Sequence, residues 1–200
     1  MSAFKCDGFS RCKDSMIWVQ QHLDGLTLAE PCKRSHLSGG CLHACIEHGL
    51  AIVVLVGEGL YGSALALVRL QFEAYVRGIW LAQCASDNEV DKAGRDDFPK
   101  IDPMIRSLEK PGLLDSSILS MLKRDSWKSL NSLTHTGYQQ IGPRLNGDGI
   151  GSYFDDDQVR LALNWAEALA ILCAVAFAGL AKDDHLALVL LERARLIAAP

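Results

Sequence analysis

Two long apolar segments, 35–58 and 63–85, are separated only by the turn Gly59-Leu60-Tyr61-Gly62. A helix rises about 1.5 Å per residue, so each segment is long enough for several turns. Joined so tightly, two such helices must pack antiparallel, and the rest of the chain has to be built around that hairpin. Ser63 is the expected N-cap of the second helix. Gly39 and Gly40 are expected to kink the first or delay its start.

The remaining segments extend the same pattern. Met16, Ile17, Val19 and Leu23 give a helix over about 15–25, closed by Gly25, and 26–35 is a connector punctuated by Pro31. Residues 86–117 carry three of the six prolines and read as an irregular polar excursion with one short helix near 102–109. Helix resumes at about 116, and a run over about 126–142 ends at Pro143. The glycine-rich loop 143–154 lacks phosphate-loop spacing and has no Lys-Ser/Thr after it, which argues against a nucleotide cradle of that type. Asp155, Asp156 and Asp157 open a helix to about 181, where negative charge suits the dipole, and a last helix covers 184–198. No strand alternation competes. The expected fold is all-α: a single-domain bundle of six or seven helices over 1–200.

Composition bounds the function. Aromatics are sparse at 7%, and Ala and Leu dominate, which favours helix over sheet. A net charge of −4 gives no whole-protein basic field, so no DNA partner is expected. The N-terminus lacks the apolar core of a signal peptide. The longest uncharged apolar run, 168–181, is shorter than the ~20 residues of a membrane span. It reads as a buried central helix in a cytoplasmic protein with no membrane partner. Seven cysteines without an export signal point to reduced thiols. The many apolar helices suggest a homo-oligomer, with a dimer the simplest.

Within the second helix of the hairpin, Arg69, Glu73 and Arg77 stand four residues apart and share an arc of about 80°. Trp80 and Cys84 continue the stripe. Leu65, Val68, Phe72, Val76 and Ile79 form one shoulder, and Leu67, Leu70, Ala74 and Leu81 the other. Three arrangements fit so narrow a stripe. It is a surface network, a buried brace that fixes helix register, or an arginine held by Glu73 to bind an anionic group.

A second polar stripe surrounds His135. Arg124, Lys128, Asn131 and Gln139 fall within about 40° of it on a helical wheel, with Trp127, Leu130, Leu133 and Ile141 towards the other side. A solvated face explains this pattern. The chemistry also suits a metal-independent phosphate site, with His135, Lys128 and Asn131 as catalytic candidates and Thr134 and Tyr138 as ligand contacts. If the ladder faces this stripe, Arg77, Glu73 and His135 form one polar pocket.

Cys41, Cys45 and His48 recur on one helical face, with Cys32 or His36 as further ligands, but no CxxC supports a standard zinc module. Tight helix packing explains the cysteines as well. Glu47 and Glu58 lack a histidine at ExxH spacing. No metal and no cofactor are expected.

The segments HGLAIVVLVGEGLYGSALALVRLQFEAYVRGIWLAQCAS and LNSLTHTGYQQI resemble an uncharacterised family of bacterial all-helical proteins with an Arg-x-x-x-Glu-x-x-x-Arg-Gly-x-Trp run and a Thr-His-x-Gly run. That resemblance implies one constellation of Arg69, Glu73, Arg77, Trp80 and His135. More distantly, the chain is similar to HEPN helical bundles, whose RNases carry Arg-x4–6-His. Here Lys128, not arginine, stands at that spacing from His135. The leading expectation is therefore a HEPN-like protein that binds or cleaves RNA or nucleotides, in defence or a toxin–antitoxin pair. The alternatives are a noncatalytic scaffold whose ladder is structural, and a binder of a small anionic ligand.

Overall fold

A computed structural model describes residues 8–111 and 117–198. Among them are nine α-helices: α1 (Phe9–Leu23), α2 (Lys33–Gly57), α3 (Tyr61–Gln83), α4 (Asp87–Ala93), α5 (Ile101–Leu108), α6 (Ile118–Thr134), α7 (Tyr138–Ile141), α8 (Asp156–Ala181) and α9 (Asp184–Ala198). The all-α architecture is as the sequence implied. Two more helices than expected are present, both short.

The α2–α3 hairpin is the spine. Gly78 lets the two helices approach, because a Cβ there would stand 2.7 Å from Leu42 Cδ2 and 3.3 Å from the Leu42 backbone nitrogen. Ser38 Oγ donates to Gly78 O at 2.8 Å across the same crossing. Arg34 fixes the far end of α3, donating to Leu81 O at 2.9 Å and to Ala85 O, where a cation complements the helix C-terminus. The turn into α3 differs from expectation. Leu60, not Ser63, is its N-cap residue, and no side chain caps it. Gly39 and Gly40 lie inside α2 rather than at a break.

α8 packs across both spine helices, and α1 and α9 pack on α8. α5 and α6 cover the other flank of α3. Phe72, Leu42, Ile52, Leu163 and Ile171 fill the centre. The 168–181 run is the C-terminal part of a longer helix, with Leu169, Ala170, Ile171, Cys173, Ala174 and Ala178 buried and Leu172 on its exposed side. By length and composition α2 and α8 both pass for membrane spans, yet the outward face of α2 carries His36, His43 and Glu47.

The polar excursion is more regular than its composition suggested. Ser86 and Glu89 form a reciprocal capping box that starts α4. The glycine-rich loop holds a two-residue hairpin, Leu145–Asn146 paired antiparallel with Gly149–Ile150. Gly147 makes its turn at φ 55°.

Candidate functional site at the α3–α6 seam

The expected helix over 126–142 stops at Thr134. Thr136 takes a left-handed φ of 55°, and Gly137 N donates back to Ser132 O at 2.6 Å. A Cβ on Gly137 would meet Ser132 Oγ at 2.4 Å, so glycine suits this stop. His135 is therefore the residue that closes α6, turned out of the helix. α6 runs antiparallel to α3: Thr134 Oγ1 contacts Ala66 O at 3.3 Å, and Trp127, two turns earlier, packs edge-on against Phe72.

This placement brings the two stripes together. Arg69 Nη1 donates to His135 Nε2 at 2.7 Å, while Arg69 Nε donates to Glu73 Oε1 at 2.8 Å. Arginine carries no acceptor, so His135 Nε2 is the acceptor and the ring proton sits on Nδ1. The Arg69 guanidinium also lies 4.9 Å from the centre of the Trp127 ring, and Lys123 Nζ lies 4.4 Å from it. Three constraints hold one arginine: a carboxylate, an aromatic face and an imidazole.

Arg77 takes a different path. Its Nη2 is 3.6 Å from Glu73 Oε2, and its guanidinium sits 4.9 Å from the Phe98 ring ahead of α5. It also lies close enough to Cys41 of α2 to oppose the upward push that burial gives that thiol. The pocket expected from Arg77, Glu73 and His135 is thus assembled differently. Arg69 touches the histidine, and Arg77 joins only through Glu73. The ladder is neither a surface network nor a sealed brace, since the Arg69, Glu73 and Arg77 side chains are 20%, 14% and 38% exposed.

The other candidates divide. Asn131 is half-buried, and its Oδ1 is shielded from solvent with no partner among the described residues. Arg77 Nε is in the same state. A shielded acceptor and a shielded donor left open are the groups a bound ligand would satisfy. Thr134 spends its hydroxyl on Leu130 O (2.9 Å) and Ala66 O, so it fastens α6 to α3. Lys128 is exposed, with no ion pair among the described residues, and Tyr138 is exposed beyond the turn. Trp80 is buried and continues the stripe into the core.

Two features escaped the sequence reading. Trp127, assigned by the helical wheel towards the side away from His135, is the platform under Arg69. A separate polar network ties α1 and α9 to α8. Buried Glu167 accepts from Ser15 Oγ at 2.6 Å and from Arg11 Nε at 3.1 Å, and Arg193 Nη2 donates to Ser15 Oγ at 3.1 Å. Its signal was present as the one carboxylate in the apolar stretch NWAEALAILC.

The metal alternative finds no geometry here. Cys32 is the N-cap of α2, His36 Nδ1 is bonded to Cys32 O, and Cys45 is buried against Cys173. Among the described residues no group of three or more His, Cys, Asp or Glu side chains is arranged to hold an ion. A 220 Å³ cleft opens on the apolar shoulder of α3, lined by Leu65, Val68, Leu130, Leu133 and Trp165. The ladder residues do not line it.

No curated protein and no solved structure matches this chain. A family match covers residues 42–195, which takes in all of α3 and α6 with Arg69, Glu73, Arg77, Trp80 and His135. On that match the chain belongs to DUF6988, a family of unknown function.

Proposed function

We propose that the α3–α6 seam binds a phosphate-bearing ligand, a nucleotide or a short stretch of RNA, through Arg69 and Arg77. The observation that carries the reading is the triple restraint on Arg69. Glu73 and Trp127 orient its guanidinium, and His135 occupies the Nη1 edge that a phosphate oxygen would take. A pre-oriented fork loses little freedom on binding, which is how arginine recognises planar or tetrahedral oxyanions. On the same two helices, Arg77 Nε is an unspent donor for a phosphate oxygen and Asn131 Oδ1 an unspent acceptor for a ribose hydroxyl or base N–H.

Cleavage is the finer reading, in the manner of a HEPN-like RNase acting in the bacterial cytoplasm in defence or with an antitoxin. His135 Nε2 cannot take a proton while it accepts from Arg69. A phosphate that draws Arg69 onto itself releases that nitrogen beside the bound ligand. Lys128 supplies no contact to this group, so His135 would act without a second base from α6.

The test is calorimetric titration with a 5′-nucleoside monophosphate and a short single-stranded RNA, followed by a cleavage assay on the RNA. Binding that is lost in Arg69→Ala and Arg77→Ala at unchanged helical content supports the reading. Cleavage lost in His135→Ala supports the enzymatic form. Absent binding of both probes by folded wild-type protein overturns it. A scaffold role, favoured by the low exposure of Glu73, would then stand, with the ladder bracing α3 against its neighbours.

A further inference from the structure

The segment that follows His135 presents an unusual share of apolar side chains to water. Between 138 and 153, Gln140 and Arg144 turn towards the protein body, while Gln139, Asn146, Asp148 and Ser152 are exposed. Gln140 Nε2 donates to Gly62 O at 2.8 Å and Leu133 O at 3.2 Å, and Arg144 lies 5.6 Å over the Phe154 ring. A Cβ on Gly62 would meet both Arg144 Nη2 and Gln140 Oε1 at 2.4 Å, so this root is packed tightly on the start of α3. The large apolar residues face water as well. Tyr138 is 78% and Ile150 86% exposed, with Ile141, Leu145 and Tyr153 about half exposed. Scattered exposed leucines need no explanation, but five large apolar side chains exposed within sixteen residues do.

The hairpin concentrates this surface. Leu145 and Ile150 are direct cross-strand partners, so their side chains lie on one face. Gly151 N donates to Arg144 O and Tyr153 N to Pro143 O, which sets Tyr153 beside the pair. A two-residue, two-stranded ribbon is marginal alone in water, and its edges carry open N–H and C=O groups.

We propose that this arm, residues 138–153, is the surface on which a second copy of the chain docks. Charge argues against a membrane as the occupant. Asp148 is at the turn and Asp155, Asp156 and Asp157 follow immediately, whereas anionic lipid surfaces recruit Lys and Arg. Area and composition argue for self-association. With a large side chain taken as ~200 Å² and scaled by its exposure, the five residues present about 600 Å² per copy. Two copies together reach ~1,200 Å², the lower end of specific interfaces. A core with tyrosines and aliphatics and no charge is typical of homodimers, and a two-fold axis lets one exposed edge meet its own copy antiparallel. The acidic residues then form the rim.

Sedimentation velocity on the full chain, from low micromolar to about 100 µM, tests this directly. The expected result is a dimer of the 21.8 kDa chain that Ile150→Asp and Leu145→Asp each convert to a monomer with unchanged helical signal. Leu188→Asp, on the exposed face of α9, leaves the dimer intact. Hydrogen exchange on wild-type protein gives an independent reading, with amides of 145–151 becoming more protected as concentration rises. A wild-type monomer at the highest concentration overturns the proposal, as does a dimer that survives both arm variants. Concentration-independent exchange of those amides in a dimer overturns it too, and so does a monomer that co-sediments with lipid vesicles.

Discussion

Arg69 and His135, 66 residues apart, meet at 2.7 Å across the α3–α6 seam, and Glu73 holds the arginine from the other side. The contact needs Nε2 as an acceptor, so an arginine on α3 fixes the orientation of the imidazole that closes α6. Arg69→Lys separates charge from shape here. Lysine keeps the charge but loses the fork and the flat stack on Trp127. Arg69→Lys is expected to weaken nucleotide binding about tenfold or more and Arg69→Ala up to about a hundredfold, read by calorimetry. Equal affinities for wild type and Arg69→Lys would show that the fork is not used.

Glu73→Gln tests whether the ladder also stabilises the fold. The carboxylate is paired to two arginines and mostly screened from water, between the surface and buried limits for ion pairs. An expected loss of about 1–2 kcal/mol lowers the melting temperature by ~2–8 °C. A change within about 0.5 kcal/mol would place the ladder with surface pairs that contribute little.

The helices were legible because their signals are local. The hairpin turn at 59–62, the aspartates before α8 and the period of the apolar residues fix element type without reference to partners. α4 was missed although Ser86-x-x-Glu89 is a capping box, because the prolines and charges of the excursion dominated its reading. The site was legible in part. Spacing placed Arg69, Glu73 and Arg77 on one face, and His135 on another helix. Which arginine met the histidine depended on where α6 stops, and that is set by the left-handed Thr136 and by Gly137. A wheel drawn through 142 assumes away that stop, and it moved Trp127 off the site. The Glu167 network joins residues more than 150 positions apart, which no local pattern specifies.

Gly78 stands where α2 and α3 cross most closely, with Leu42 against it and Ser38 bonded to its carbonyl. Helix propensity alone favours alanine over glycine by about 1 kcal/mol. Packing opposes it, because a Cβ would overlap Leu42 Cδ2 and Cγ at 2.7 and 2.8 Å, in a fully buried side chain with its own backbone nitrogen at 3.3 Å behind it. Gly78→Ala is expected to destabilise by about 1–3 kcal/mol in denaturant unfolding. A stabilised variant would mean that the hairpin opens at this crossing at little cost.

The thiols should react in a fixed order. Cys32 is exposed, and its contacts with Ser35 at the start of α2 lower its pKa. Burial pushes Cys12 up to about 12 and Cys173 upward as well. Brief alkylation of native protein at neutral pH, mapped by mass spectrometry, should label Cys32 well before Cys12, Cys45 and Cys173. Early labelling of Cys45 or Cys173 would reveal an opening of the core between α2 and α8.

His48 gives the pH dependence a defined sign. Burial on α2 lowers its pKa below the usual 6.5, against a smaller upward pull from Glu47. Between the folded and unfolded pKa values the unfolded chain binds more protons, so stability rises with pH in that window. Acidification through 6.5 therefore destabilises the protein progressively, and the loss levels off once pH falls below the folded pKa. His48→Gln cannot take up a proton at this position and should flatten the part of the stability–pH curve just below pH 6.5. Urea unfolding of both proteins at a series of pH values measures the slope. An unchanged slope in His48→Gln would assign the acid sensitivity to another group.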